Sequence, residues 1–111
     1  MSKLYICNAF SLSMLDRVDQ CSPSTVRVPA PVGPDDLEFI LALASDVISA
    51  VGHADTAAIF SGILGIAVPV NRMSVKLGPH DSALIGQYVG PRLPEGATSL
   101  PEGATIEWWL V

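Results

Sequence analysis

The period of apolar and polar positions changes repeatedly along this chain, and each change predicts an element. Lys3 to Cys7 (KLYIC) reads as a buried first strand. Asn8 and Ser11 then open a short helix with Leu12, Leu15 and Val18 on one face, capped by Ser11 or Ser13. Ser24 to Pro29 alternates through Val26 and Val28 and ends in proline, the pattern of a short edge strand. Pro31, Gly33 and Pro34 form a turn, and Asp35 and Asp36 start a helix. Leu37, Ile40, Leu41, Ala44, Val47, Ile48 and Val51 then recur at helical spacing, so this helix is predicted to run on to Gly52 as its C-cap. A second helix runs from about Ala54 to Leu64, with Asp55 in its first turn and Gly65 as its stop.

Beyond it the period becomes two. Met73, Val75 and Leu77 share one face of a predicted strand over 71–77, and Arg72, Ser74 and Lys76 share the other. Ser82 to Tyr88 is a further strand, predicted to pair with the first as a hairpin through Gly78-Pro79-His80-Asp81. The tail repeats Leu93-Pro94-Glu95-Gly96-Ala97-Thr98 as Leu100-Pro101-Glu102-Gly103-Ala104-Thr105, which reads as two successive turns. Ile106 to Leu110 closes the chain as a strand. The expected fold is α/β, a small mixed β-sheet with helices packed on it.

Composition narrows this picture. The chain has 111 residues, half of them apolar, so residues 1–111 are expected to form a single domain with a small core. A mean hydropathy of +0.45 favours an apolar interface, and a homodimer would add burial. The richest apolar run, Leu37 to Val51, is interrupted by Glu38, Ser45, Asp46 and Ser49 and is too short for a membrane span. The N-terminus lacks the shape of a signal peptide. Cys7 falls in an apolar strand, and Cys7 and Cys21 lack the spacing of a zinc site or a disulfide framework. A cytoplasmic protein (in the host cytosol, for a viral source) without a cofactor or metal is the expectation. A net charge of −5 with only six Lys and Arg argues against long nucleic acid as a partner. A small phosphate ligand remains open, because Arg72, Lys76 and Arg92 follow one another with Asp81 as the only acid among them.

The candidate chemistry centres on Gly52-His53-Ala54-Asp55-Thr56. A histidine at a helix start stands beside backbone amides that attract anions. An imidazole there can protonate the leaving oxygen of a phosphate ester. The plainer reading is a surface or capping histidine. Arg72 and Lys76, four apart, can point at one ligand, or simply face solvent. Arg92, in Gly90-Pro91-Arg92-Leu93-Pro94, is placed to clamp a phosphate or to sit exposed in a loop. Asn8 and Ser11 follow the first strand, where ligands of α/β sheets collect, though Ser11 also suits a cap. Glu95 can orient water or the histidine, or be a turn residue like its twin Glu102; His80 reads as a loop residue. No GxGxxG, P-loop, GxSxG or HExxH pattern occurs.

Taken together, several of these segments carry a family resemblance. The opening Lys-Leu-Tyr-Ile-Cys-Asn-Ala-Phe-Ser-Leu-Ser-Met-Leu resembles the start of the small viral ring nucleases, the type III anti-CRISPR proteins, and their bacterial relatives. Gly52-His53-x-x-Thr56, Asn71-Arg72-x-x-Val75-Lys76-Leu77, and Gln87 with the downstream Arg92-Leu93-x-Glu95-Gly96 resemble that family in the same order. The resemblance implies a homodimer that binds cyclic tetra-adenylate, the messenger of type III CRISPR immunity, and cuts it without metal. It implies His53 as the catalytic general acid and Arg72 and Arg92 as phosphate contacts. It further implies Asn8, Ser11 and Gln87 as ligand-contacting polar groups and Glu95 as an acid near the reaction centre. The chain departs from the family by an extra residue between Gln87 and Arg92, and by the Pro-Glu-Gly-Ala-Thr repeat in place of a late helix. The alternative is a non-catalytic module that binds and sequesters the cyclic oligoadenylate. A structural or DNA-binding role lacks a basic stripe to support it.

Overall fold

A computed structural model of the chain describes residues 3–15, 28–78 and 80–111. Among the described residues, five strands form one mixed sheet: β1 (Lys3–Cys7), β2 (Ala30–Val32), β3 (Asp46–Ser49), β4 (Ser82–Val89) and β5 (Thr105–Leu110), in the order β2-β5-β4-β1-β3. Two α-helices among the described residues, α1 (Leu37–Leu43) and α2 (Ala54–Leu64), give the fold its α/β character. β1 pairs in parallel with β3 on one side (Leu4 opposite Val47) and with β4 on the other (Leu4 opposite Ser82). β5 runs antiparallel to both β4 and β2.

β1 is apolar on both faces because both are covered. Leu4 and Ile6 face a main core with Leu37 and Ile40 of α1, Ala57, Ile59, Phe60 and Leu64 of α2, and Leu84 and Trp108 of the sheet. Tyr5 and Cys7 face a second cluster with Val75, Leu77, Ala83, Ile85 and Val111. The main core closes on Gly86, where a Cβ would lie 2.5 Å from Phe60 Cζ and 2.8 Å from Trp108 Cζ3. The Phe60 and Trp108 rings, tilted at 53° with centroids 5.0 Å apart, fill that space.

Helix α2 has the predicted bounds. It ends at Gly65, whose left-handed backbone (φ 70°) lets its N–H donate to Ser61 O. Strands β1, β4 and β5 also fall where the pattern places them. Around Ser11 a single 3₁₀ turn, Leu12–Met14, replaces the expected helix; Ser11 caps it and Leu15 leaves in extended backbone. Val18, and the edge strand expected from Ser24, involve residues outside the described ones. The edge strand β2 lies just beyond, with Pro31 opposite Trp109 and Ala30 and Val32 completing the three-residue strand.

Two predicted elements are corrected. The helix expected to reach Gly52 stops at Leu43, and Asp46–Ser49 is strand β3. Val47 and Ile48 are β-branched and find backbone partners on the open edge of β1, which outweighs continuation of the helical period. The segment 71–77 forms no ladder and no hairpin with β4. Both edges of β4 are occupied, by β1 and β5, so the segment instead crosses the second face of the sheet. The period holds in part: Val75 and Leu77 are buried and Arg72, Ser74 and Lys76 are exposed, but Met73, expected on the buried face, is exposed as well. Leu77 forms an isolated parallel bridge to Leu15. The expected turn survives as a local one, in which Asp81 N donates to Gly78 O and Gly78 N to Asp81 Oδ2.

Candidate functional site

Because β1, β3 and β4 are parallel, their C-terminal ends share one edge of the sheet, the usual place for ligands in open α/β sheets. Asn8 follows β1, His53 follows β3, and Arg92 follows β4. The shortened first helix therefore matters to the site: His53 lies on a strand-to-helix turn, not between two helices. It is the N-cap residue of α2, extended at φ −128° and ψ 133°, and its carbonyl accepts the first helical bond from Ala57 N at 3.0 Å. Its exposed side chain makes no capping hydrogen bond, so the imidazole is not spent on holding the helix.

A clasp fixes what stands beside it. Ser49, the buried polar residue at the end of β3, donates its hydroxyl to Pro69 O at 2.6 Å and accepts from Val51 N at 3.3 Å. Asn71 returns from the other side, Nδ2 donating to Ser49 O at 2.7 Å and its backbone N–H to Val51 O at 2.8 Å. The next residue, Arg72, is thereby laid across Gly52, and its Nε donates to Gly52 O at 3.0 Å. A side chain at position 52 would crowd it, since a Cβ there meets Arg72 Cγ at 3.0 Å. One guanidinium N–H goes to this carbonyl, which leaves the terminal nitrogens of the fork for an anion.

The loop after β4 reaches the same helix start. Asp55 accepts a hydrogen bond from Gly96 N at 3.1 Å. Asp55, Arg92, Leu93, Pro94 and Glu95 together line an open cavity of about 490 Å³. Tyr88 Oη donates to Pro91 O at the other end of this loop. Arg72 is thus held on the residue before His53, the loop after β4 is tied through Gly96 two residues after it, and Arg92 and Glu95 line the cavity with Asp55.

The remaining candidates are placed elsewhere. Lys76 does not join Arg72: its ammonium donates to Ser13 O at 2.5 Å, against the 3₁₀ turn. Ser11 is occupied locally, accepting from Ser13 N and sharing a hydrogen bond with Ser13 Oγ. Gln87 is exposed and lies with Ile85 on the second face of the sheet. There it lines a groove of about 330 Å³ with Phe10, Pro29, Trp109 and Val111. Asn8 is half-buried at the bend where β1 ends. Among the described residues, no group of three or more His, Cys, Asp or Glu side chains is arranged to hold a metal ion, and no helix is long and apolar enough to cross a membrane. Sequence reasoning overlooked Ser49, Asn71 and Asp55 as positioning residues. The one available signal was Asp55 in a helix first turn, which reads equally well as a partner for the helix dipole.

Comparison with known proteins adds the relationship. The family described as STIV B116-like matches residues 4–107. The fold is similar to B116 of Sulfolobus turreted icosahedral virus, with a TM-score of 0.74 and 26% sequence identity over 97% of each chain. No curated protein matches the chain. The match takes in β1, the His53 turn and the Arg92–Glu95 loop, and it covers nearly the whole sequence: the chain belongs to the STIV B116-like family.

Proposed function

We propose that this chain is a ring nuclease. As a homodimer it binds cyclic tetra-adenylate and cuts it, without a metal ion, into short linear oligoadenylates ending in 2′,3′-cyclic phosphate. That reaction switches off type III CRISPR signalling. One observation carries the reading. His53 stands at the β3–α2 turn with its imidazole uncommitted to capping, with Arg72 held on the preceding residue and the Arg92–Glu95 loop tied two residues after it. The ordered segments that resemble ring nucleases, and membership of a family named for a viral protein, support it.

The chemistry needs few parts. The ribose 2′-oxygen attacks the adjacent phosphorus and releases its proton to solvent, so the nucleophile comes from the substrate. The new 2′-O–P bond closes a cyclic phosphate while the P–O5′ bond breaks. His53 gives its proton to the departing 5′ oxygen, and the two arginines stabilise the charge on the phosphoryl oxygens. The first amides of α2, next to His53, favour negative charge. Holding the 2′-oxygen in line with the leaving group supplies much of the rate. A two-fold dimer sets two copies of His53 against opposite linkages of a four-membered ring.

The test is incubation with cyclic tetra-adenylate in excess EDTA, beside His53→Ala. The parent is expected to cleave, and the variant to lose on the order of 10²- to 10⁴-fold in rate. Tight binding without cleavage by either protein would replace the nuclease with a sequestering module. Absence of binding would overturn the reading altogether.

A further inference from the structure

The tail contains one hexapeptide twice, Leu93–Thr98 and Leu100–Thr105. Both copies fold alike. Ala97 N donates to Pro94 O at 3.2 Å and Ala104 N to Pro101 O at 3.1 Å, with Gly96 at φ 78° and Gly103 at φ 81°. This is the turn that demands glycine at its third position. Both copies also anchor a leucine, Leu93 or Leu100, against the main core. With sequence, turn and anchor matched, the copies differ in where they dock. The second rests against Gly90 at the end of β4. The first gives its Gly96 amide to Asp55, 41 residues earlier in the chain, in the first turn of α2.

We propose that Asp55 is a positioning residue, a latch that holds the Arg92–Glu95 loop over the start of α2. The proposal rests on the ring-nuclease reading of that site. Arg92 and Glu95 lie between two ties, Tyr88 Oη to Pro91 O on one side and Gly96 N to Asp55 Oδ2 on the other. Pro91 and Pro94 restrict the backbone between those ties. With both ties made, the loop has little freedom, and Arg92 is kept on the lining of the cavity that Asp55 also lines. With the Asp55 tie cut, the loop keeps its Pro91 tie and its Leu93 anchor but loses its hold on α2, and the ligand must then supply part of the ordering of Arg92. That ordering weakens binding more than it slows the step for which His53 is responsible.

The experiment compares Asp55→Ala, Asp55→Asn and the parent by NMR-detected hydrogen exchange and by kinetics on cyclic tetra-adenylate. In the free protein, Asp55→Ala is expected to speed exchange of the Gly96 amide at least about tenfold while the Ala104 amide, bonded within the twin turn, is unchanged. KM is expected to rise on the order of tenfold with kcat within about threefold. Asp55→Asn keeps an acceptor oxygen and is expected to restore most of both. Unchanged Gly96 exchange in Asp55→Ala would overturn the latch, whatever the activity. Faster Gly96 exchange with unaltered KM would overturn its positioning role. Faster exchange at Gly96 and at the Ala104 amide alike would mean a general loss of structure and would also overturn it. A parent that neither binds nor cleaves the ring would instead overturn the ring-nuclease reading, and the Gly96 comparison would still decide whether the latch exists.

Discussion

Replacing Gly86 with alanine tests how tightly the sheet is fitted to α2. The added Cβ would stand 2.5 Å from Phe60 Cζ and 2.8 Å from Trp108 Cζ3, where carbon atoms in contact prefer about 3.5–4 Å. Both rings must therefore retreat by roughly 1 Å. Phe60, the nearer ring, has no room: it is 1% exposed within the main core, and Trp108 is itself 6% exposed. Overpacking of this kind costs about 1–3 kcal/mol. For 111 residues, the entropy of unfolding is about 0.23 kcal/mol per kelvin, so the melting temperature should fall by about 4–13 °C. Phe60→Leu removes the ring edge that the methyl meets, so Gly86→Ala should cost clearly less in that background, a non-additivity of at least about 0.5 kcal/mol. Thermal and urea unfolding followed by circular dichroism would measure all four proteins of the cycle. A Gly86→Ala protein within 0.5 kcal/mol of the parent, or strict additivity with Phe60→Leu, would refute the packing argument.

Other expectations concern the second face and the clasp. Burial pushes the Cys7 thiol from 9.0 up to about 11, so the folded protein keeps it protonated after the unfolded chain would have lost the proton. Stability is therefore expected to fall between about pH 9 and 11, by on the order of 2 kcal/mol, and Cys7→Ala should remove that part of the alkaline loss in pH-dependent urea titrations. The same burial should protect Cys7 from iodoacetamide until the protein is unfolded, which peptide mapping would reveal. Ser49→Ala removes the donor to Pro69 O and the acceptor of the buried Val51 N–H, for an expected cost of about 1–3 kcal/mol in chemical unfolding. It should also weaken binding of cyclic tetra-adenylate, because the 69–71 segment that delivers Arg72 is released; unchanged affinity would separate the clasp from the site.

Some of this was legible from the residues because the signals were local. Helix α2 carries its own stop in Gly65 and a first-turn acid in Asp55, so its bounds follow from capping alone. Strands β1, β4 and β5 follow from apolar runs with no competing period. The stretch Leu37 to Val51 misled because Val47, Ile48 and Val51 continue the helical spacing, and nothing local reveals that β1 offers them an open edge. The 71–77 segment misled in the opposite way: a period of two identifies a buried face and says nothing of whether a strand is there to pair with it. The candidate site divides along the same line. His53, Arg72 and Arg92 stand out as residue types at suggestive places. The bonds that arrange them, Asn71 to Ser49, Arg72 to Gly52 and Gly96 to Asp55, join positions 20 or more residues apart and are properties of the fold.

The role of His53 is open to a sharp measurement. A cyclic tetra-adenylate ring in which sulfur replaces the bridging 5′ oxygens has leaving groups that depart without a proton. Single-turnover cleavage of this ring and of the ordinary one, by the parent and by His53→Ala in excess EDTA, isolates the proton given to the leaving oxygen. His53 as general acid predicts a loss on the order of 10²- to 10⁴-fold for the variant on the ordinary ring, and near-parental cleavage of the sulfur-bridged ring. Equal rates for the two proteins on the ordinary ring, or an undiminished defect on the sulfur-bridged one, would contradict it.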